Sequence, residues 1–451
     1  MSFLLFYFLT YILSFVINIE SKAVTCDDSN DDGVCNADIN DNKTETLGQE
    51  ILRKQTELYG LDKPYYNQYS SAIGIRVHNP NDETYDAYWY DPSRMKGIWK
   101  GKLHSKRHTA TNSYVGHTFY YTKVGEPNKK VYEFTVQDSV NDYIVPPKSK
   151  KEAESEFYKK VKEKQLFYKE YYEKTGRGWL SGYKRPKPIL HMWKADYIGQ
   201  IHTIKTKETY WKCDIKNEET SVDIAYDKAK KLFFGSSDKE YNNKCRDTGE
   251  LTINIEVISK EPKVFVIEGM LSDFEAESII SLATPKLHRS GVGQAADANY
   301  ADETRTSKTA WLGYTEHYIV DTLYKRAADI LQIEVATLKR NAEYMQTVYY
   351  EIGQEYKAHH DFADAGRDES RYITLLFYLN NQKTQHAGGE TMFPKANDGK
   401  GLKTHPGKGN AVLFYDLLED GNGDDLTLHE AVKVVDGHKW LANFWVWDPK
   451  K

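Results

Sequence analysis

The chain has 451 residues, 40% of them hydrophobic, which is enough for two or three domains rather than one. A formal net charge of −5 argues against a nucleic-acid partner for the chain as a whole. The aromatic residues are mostly tyrosine, 34 in all, which favours β-rich structure and peptide-contacting surfaces. Composition therefore indicates a multidomain, β-rich α+β protein.

The chain begins with an apolar block at residues 4–17, which is followed by Ser21 and Ala23. Small residues at this spacing predict a signal peptide, residues 1–23, cleaved after Ala23. An uncleaved signal anchor is the alternative, but the block is shorter than the roughly 20 residues of a spanning helix. We expect a protein of the endoplasmic reticulum lumen or a secreted one, with no membrane span after cleavage.

Residues 24–68 form an acidic, polar segment that contains the first two of four cysteines, and Asn42 in it begins a glycosylation sequon. An even cysteine count in a secretory chain favours disulfides. Order along the chain suggests two pairs, although three connectivities are possible: Cys26 with Cys35, and Cys213 with Cys245. We therefore expect a disulfide-bonded glycoprotein.

Residues 69–145 alternate apolar and polar positions, as at Ile73, Ile75 and Val77, between clusters of turn residues. This pattern predicts a small β-sandwich. The segment resembles the β domain of the von Hippel–Lindau tumour suppressor, through residues 87–91, 101–103 and 113–119.

The von Hippel–Lindau resemblance implies that Ser113 and His117 hydrogen-bond the hydroxyl group of a hydroxyproline. Two departures stand against this role: Phe119 replaces a tryptophan of that family, and Lys100 stands at the spacing of its pocket tyrosine. The alternative is a plain β-sandwich spacer in which His117 braces a turn.

Two segments connect the sandwich to the C-terminal part of the chain. Residues 146–190 contain interleaved lysine and glutamate on a loose helical stripe, which predicts a charged helical connector with a solvated face. Residues 191–258 carry the second cysteine pair and short strand-like runs, and we expect a spacer or substrate-docking module there.

A candidate metal site lies near the C-terminus. Residues i and i+2 of a strand point to one face, so His359 and Asp361 can bind one metal while His360 points away. His429 lies in a distant strand-like run and supplies a third ligand, which completes the two-histidine, one-carboxylate set of non-haem Fe(II) oxygenases. Lys439 follows a turn and could return beside the metal as a cation for a dicarboxylate cosubstrate.

The order of motifs around these residues resembles a known family. Residues 262–449 are similar to the catalytic domain of prolyl 4-hydroxylases, which are Fe(II)- and 2-oxoglutarate-dependent dioxygenases. The resemblance rests on seven blocks in order: residues 264–272, 305–307, 350–356, 371–380, 387–394, 428–431 and 437–440. It implies a double-stranded β-helix (jelly-roll) with flanking helices over residues 259–451.

Carried over by position, the prolyl 4-hydroxylase resemblance implies three groups of site residues. They are the iron ligands His359, Asp361 and His429; the 2-oxoglutarate contacts Lys439, Tyr350 and Thr391; and the substrate-peptide contacts Tyr356, Arg371 and Trp445. It also implies Fe(II), 2-oxoglutarate and O2 as cofactors and ascorbate as reductant. An aromatic-lined groove suits a proline-rich chain in polyproline II conformation.

The function expected from this resemblance is that of a procollagen-proline 4-dioxygenase. Such an enzyme forms 4-hydroxyproline in secretory-pathway proteins, with succinate and CO2 as co-products. The substrate would be a proline-rich polypeptide, either collagen-like or a hydroxyproline-rich glycoprotein. Two alternatives stay open: hydroxylation of another residue or of a free amino acid, and a non-catalytic protein that binds proline- or hydroxyproline-rich peptides.

Overall fold

A computed structural model describes residues 45–61, 72–137, 140–181, 184–212, 246–247, 249–290, 305–362 and 369–448. The described residues from Thr46 onward belong to one compact unit. Among the described residues, none of the helices combines the length and hydropathy needed to span a lipid bilayer. The predicted signal peptide, the four cysteines and the Asn42 sequon lie outside the described residues.

The first element among the described residues is helix α1 (Leu47–Glu57), and a small β-sandwich follows it. The strands of the sandwich are β1 (Ala72–His78), β2 (Tyr85–Asp91), β3 (Lys96–Leu103), β4 (His108–Tyr114), β5 (Thr118–Lys123), β6 (Glu126–Thr135) and β7 (Asp142–Ile144). They form a three-stranded sheet of order β4-β1-β7 and a four-stranded sheet of order β3-β2-β5-β6.

One core holds the two sheets of the sandwich together. The alternating residues Ile73, Ile75 and Val77 of β1 pack in the same buried cluster as Tyr85 and Tyr121 of the four-stranded sheet. Period-two alternation places Ile73, Ile75 and Val77 on one face of β1, which is why the sequence pattern predicts this arrangement. The small β-sandwich is confirmed.

The connector is helical, in the two segments α2 (Lys150–Ala153) and α3 (Glu156–Thr175). The Ser155 hydroxyl accepts a hydrogen bond from the Tyr158 backbone N–H and caps the start of α3. Gly176 ends it in the left-handed conformation with φ 69°. Only Val161 and Tyr168 of α3 are buried, so most of this charged helix faces solvent.

In its described residues, the C-terminal part contains two sheets and three further helices. Its strands are β8 (Ile201–Thr206), β9 (Leu251–Ser259), β10 (Val264–Ile267), β11 (His288–Arg289), β12 (Lys308–Leu312), β13 (Met345–Tyr350), β14 (Tyr356–His359), β15 (Arg371–Tyr378), β16 (Thr391–Phe393), β17 (Leu402–Thr404), β18 (Ala411–Tyr415), β19 (His429–Ala431) and β20 (Lys439–Trp447). The helices are α4 (Asp273–Ala283), α5 (Tyr318–Leu331) and α6 (Val335–Asn341), with short 3-10 turns at Thr284–Lys286 and Asp425–Thr427.

Nine strands form a large sheet of order β11-β12-β13-β20-β15-β18-β10-β9-β8, and four form a small sheet of order β14-β19-β16-β17. The large sheet has apolar residues on both faces. One face packs on α4 and α5, and the other packs on small-sheet residues such as Phe393 and Leu402. Two sheets packed face to face in this way form the predicted jelly-roll, so the expected fold class is confirmed.

The segment 191–258, predicted as a spacer or docking module, supplies β8 and most of β9. Strand β9 pairs with both β8 and β10, and its Leu251, Ile253 and Ile255 are buried on alternate positions. The described part of this segment is therefore the edge of the large sheet rather than a separate module. The sequence shows the strand pattern but not the long-range pairing partner.

Candidate metal centre

The small sheet brings the three predicted iron ligands together. His359 ends β14, His429 begins β19, and the two residues are paired across these strands. Asp361 follows two residues after His359. The Nε2 atom of each histidine lies 3.6 Å from an Asp361 carboxylate oxygen, and one candidate ligand atom from each residue lies within 4.8 Å of the others. We call these three residues the triad.

Hydrogen bonds fix the histidine rings of the triad in the orientation that a metal requires. His359 Nδ1 lies 2.8 Å from the Lys357 carbonyl oxygen, and His429 Nδ1 lies 2.9 Å from the Thr427 carbonyl oxygen. Each Nδ1 therefore donates a proton, which leaves Nε2 as the lone-pair atom facing Asp361. His360 points elsewhere, with its Nε2 3.1 Å from the Asp425 carbonyl oxygen, as the strand alternation predicts.

Asp361 is buried and is held by two donors. The Trp445 indole N–H and the Thr374 hydroxyl donate to its Oδ2, at 2.8 Å and 3.0 Å. Burial alone would raise the pKa of Asp361, but the nearby His429, His359 and Arg371 hold this pKa below its usual range. The carboxylate is therefore ionised and oriented for a cation.

A second buried carboxylate stands behind the triad. Asp416 Oδ2 lies 2.8 Å from the Thr374 hydroxyl oxygen, which also contacts Asp361. Burial and the charge of Asp361 raise the pKa of Asp416 well above its usual range. A hydroxyl group has one proton to donate. Thr374 therefore donates to one of the two carboxylates at a time and links them, a contact chain that the sequence did not reveal.

The predicted cosubstrate lysine is buried among the side chains of Tyr350, Tyr378 and Thr391, a cluster that we call the Lys439 pocket. Lys439 Nζ is buried and has no hydrogen-bond partner within the described part of the chain. It lies 5.6 Å and 5.7 Å from the ring centroids of Tyr350 and Tyr378. Thr391 is buried nearby, with its hydroxyl 2.7 Å from the Tyr378 hydroxyl.

The chemistry of Lys439 and its surroundings fits an anionic ligand. Burial lowers the pKa of Lys439 to about 7, against a smaller opposing effect of Glu390. Thr404 Oγ1 is a second buried polar atom here that has no partner among the described residues. A carboxylate group would give the Lys439 ammonium group a partner, so this residue fits the distal carboxylate of 2-oxoglutarate.

The three predicted peptide contacts all lie beside the triad, and each of them already contacts other side chains of the protein. Trp445 is buried and donates to Asp361. Arg371 makes a two-point ion pair with Glu343, and its Cζ lies 3.7 Å from the Trp445 ring centroid. Tyr356 stacks on His359 with ring centroids 3.7 Å apart and is half-buried. The peptide-contact roles stay predictions.

Arg305 is a neighbour of this group to which we assigned no role from the sequence. Its Cζ lies 4.7 Å from the Tyr356 ring centroid, and its guanidinium donates to the Gln346 side chain at 2.9 Å. The signal was present, because Arg305 begins one of the seven matching blocks. Only the fold shows that Arg305 and Tyr356 are paired across neighbouring segments of the chain.

The candidate hydroxyproline reader lies in the sandwich. Ser113 Oγ is 3.1 Å from His117 Nδ1, and the rings of Trp89 and Tyr114 each lie 5.4 Å from the His117 ring. Phe119 belongs to the sandwich core. Lys100 Nζ lies 5.9 Å from the Trp89 ring centroid. The von Hippel–Lindau likeness and the reader role stay predictions.

The family model of the 2OG-Fe(II) oxygenase superfamily matches residues 345–447. Prolyl 4-hydroxylase 2 of Arabidopsis thaliana is 33% identical over 214 residues, which cover 43% of this chain and 69% of that protein. Prolyl 4-hydroxylase subunit alpha-1 of Rattus norvegicus is 35% identical over 199 residues, 41% of this chain but only 34% of that subunit.

Among solved structures, the viral collagen prolyl hydroxylase of Paramecium Bursaria Chlorella virus-1, in complex with 2OG, is 26% identical. The match covers 41% of this chain and 96% of that one, with a TM-score of 0.33. Its similarity to these sequence relatives shows that the chain belongs to the prolyl 4-hydroxylase family. Its predicted class is therefore confirmed: a dioxygenase that uses Fe(II), 2-oxoglutarate and O2.

Substitution of Trp445 tests whether its hydrogen bond to Asp361 helps that carboxylate to bind a metal. We expect Trp445→Phe to weaken Mn(II) binding by about 10- to 100-fold, because loss of a hydrogen bond to a ligating carboxylate has effects of this size. Calorimetric titration of the metal-free protein measures it. Trp447→Phe is the matched control, since that indole donates to Glu343 and not to the triad. Equal affinities in both variants would contradict the assigned role.

The depressed pKa of Lys439 predicts a pH dependence of 2-oxoglutarate affinity. The dicarboxylate favours the charged lysine, which predominates below about pH 7, so affinity should be greatest there. Above that pH, affinity should fall by up to about tenfold per pH unit, since binding then takes up a proton. Lys439→Arg, charged throughout, should flatten the profile. A flat profile in the unaltered protein would refute the assignment.

Proposed function

We propose that the chain hydroxylates C4 of peptidyl proline in proline-rich polypeptides of the secretory pathway, with succinate and CO2 as co-products. The observation that carries this proposal is the triad together with the buried ammonium group of Lys439, which has no hydrogen-bond partner among the described residues. The relatives are prolyl 4-hydroxylases, which supports proline as the hydroxylated residue. The secretory location comes from the N-terminal segment alone.

The chain's own residues would hold and orient the reactants. The Nε2 atoms of His359 and His429 and an oxygen of Asp361 would bind Fe(II), leaving three coordination positions open. Lys439, with the Tyr350 and Thr391 hydroxyls, would fix the far carboxylate of 2-oxoglutarate. Bound iron with 2-oxoglutarate and O2 supplies the oxidising chemistry. The buried walls around Lys439 would exclude water from this end of the site.

The exposure of the three ligands indicates where substrate enters. The His359 side chain is 20% exposed, whereas those of Asp361 and His429 are 4% and 7% exposed. The triad therefore opens on the His359 side, where Tyr356 stacks on the imidazole ring. We infer that a proline-rich chain passes over Tyr356, whose ring offers the apolar face that polyproline II ligands use.

Purified full-length chain tests this function. With Fe(II), 2-oxoglutarate, ascorbate and a library of proline-rich peptides, we expect succinate release and a one-oxygen mass gain that fragmentation maps to proline. His359→Ala should abolish both, since it removes a ligand, whereas His360→Ala should retain turnover because that ring points away from the triad. Oxygen on another residue, or on a free amino acid, would support the first alternative.

Peptide binding without succinate or oxygen transfer would support the non-catalytic alternative. Loss of neither turnover nor binding in His359→Ala would refute the ligand assignment. A collagen-like peptide and a hydroxyproline-rich glycoprotein peptide, compared side by side, would distinguish the two expected substrate classes.

A second function is proposed for the sandwich: binding of the hydroxylated product. The paired Ser113 and His117 side chains, with Trp89 and Tyr114 around the imidazole, offer polar groups beside aromatic walls. Burial lowers the pKa of His117, which favours the neutral ring as a hydrogen-bond partner. Tethering of product on the same chain raises effective concentration to roughly millimolar, which would promote successive hydroxylations of a repetitive substrate.

The reader function is tested in full-length protein carrying His359→Ala, so that no peptide is modified during the measurement. We expect a hydroxyproline peptide to bind more tightly than its unmodified counterpart in calorimetric titration. Ser113→Ala should remove this difference, and Thr111→Ala, an exposed change on the same strand, should preserve it. Equal affinity for both peptides would end the reader proposal and leave the catalytic one untouched.

A further inference from the structure

Helix α1 lies far from the catalytic residues in sequence, yet it packs directly on the jelly-roll. Its start is fixed by Glu256 of β9, whose carboxylate accepts hydrogen bonds from the Thr46 hydroxyl at 2.8 Å and the Gly48 backbone N–H at 3.0 Å. A Cβ atom at Gly48 would lie 2.3 Å from the Glu256 carboxyl carbon, so glycine permits this approach. A carboxylate at a helix N-terminus is electrostatically favourable.

The middle of α1 enters the core between the two sheets. Ile51 is 4% exposed and belongs to the cluster that contains Tyr378, Phe393 and Leu402. These three residues come from the large sheet and the small sheet. The helix is therefore a structural part of the cosubstrate end of the jelly-roll, although it lies outside residues 345–447, which the family model matches.

The end of α1 holds β17, which is the edge strand of the small sheet. Gln55 Nε2 donates to the Lys403 carbonyl oxygen at 2.8 Å. Gln55 Oε1 accepts from the Lys403 backbone N–H at 2.7 Å. Gln55 is 7% exposed. One side chain thus satisfies both backbone groups of an edge-strand residue, as a neighbouring strand would.

Strand β17 leads directly into the Lys439 pocket. The Thr404 carbonyl oxygen accepts from the Tyr378 hydroxyl at 3.3 Å, and that hydroxyl is 2.7 Å from Thr391 Oγ1. His405 follows, with its ring 4.7 Å from the Tyr378 ring. Burial, together with the charge of Lys439, lowers the pKa of His405 to about 3, so the ring beside Tyr378 is neutral.

We propose that α1 sets the shape of the 2-oxoglutarate pocket from outside, with Gln55 as the positioning residue that holds β17 against it. The inference rests on the proposed role of Lys439 in binding the far carboxylate. Gln55 acts through Lys403, Thr404 and Tyr378, and it contacts neither the triad nor the peptide side of the site. Its loss should weaken binding of 2-oxoglutarate while leaving the affinity for metal unchanged.

The test is calorimetric titration of 2-oxoglutarate into full-length, Mn(II)-loaded protein, in which no turnover occurs. Gln55→Met keeps the side-chain volume but removes both hydrogen bonds to Lys403, and we expect about tenfold weaker 2-oxoglutarate binding. Mn(II) affinity and the KM for peptide should stay at the values of the unaltered protein. Thr56→Ala, exposed on the same helix, is the matched control and should bind 2-oxoglutarate normally.

Unchanged 2-oxoglutarate affinity in folded Gln55→Met would overturn the inference. If that variant does not fold, Gln55→Glu, which keeps the acceptor for the Lys403 N–H, is used in its place. Its affinities for 2-oxoglutarate and Mn(II) are compared with those of the unaltered protein. Weaker 2-oxoglutarate binding with unchanged Mn(II) binding supports the inference, and unchanged binding of both overturns it. A failure of the proposed function would look different, because the unaltered protein would then not bind 2-oxoglutarate.

Discussion

The buried ammonium group of Lys439 is the constraint on which the rest of the site depends. Taking a charge out of water costs several kcal/mol unless a partner offsets it. Among the described residues, no hydrogen-bond acceptor reaches Lys439 Nζ, and burial shifts its pKa to about 7. A dicarboxylate bound between this lysine and the triad would offset the cost of burying its charge, so the same residue favours the cosubstrate.

Each of the two sheets supplies part of this site. The small sheet carries both histidine ligands, on β14 and β19, and Thr391 on β16. The large sheet carries Lys439 on β20 and the two donors that hold Asp361, Thr374 on β15 and Trp445 on β20. The metal centre therefore exists only when the sheets face each other, which makes packing at their edges, including that of α1, part of the chemistry.

Some of this arrangement follows from sequence in simple physical terms. Strand alternation separates His359 and Asp361 from His360, and the seven blocks in order identify the family around them. Features that depend on long-range contacts do not follow. Neither the Thr374–Asp416 chain, nor the pairing of Gln55 with Lys403, nor the joining of β9 to the large sheet has a local signal. Trp445 was predicted beside the site, but only the fold shows its bond to Asp361.

The most direct measurement of the central claim is a crystal structure of the full chain with Mn(II) and 2-oxoglutarate. The metal should be bound by Nε2 of His359, Nε2 of His429 and a carboxylate oxygen of Asp361. The far carboxylate of 2-oxoglutarate should lie within hydrogen-bonding distance of Lys439 Nζ. A metal bound elsewhere, or a cosubstrate that leaves Lys439 without a partner, would contradict the account.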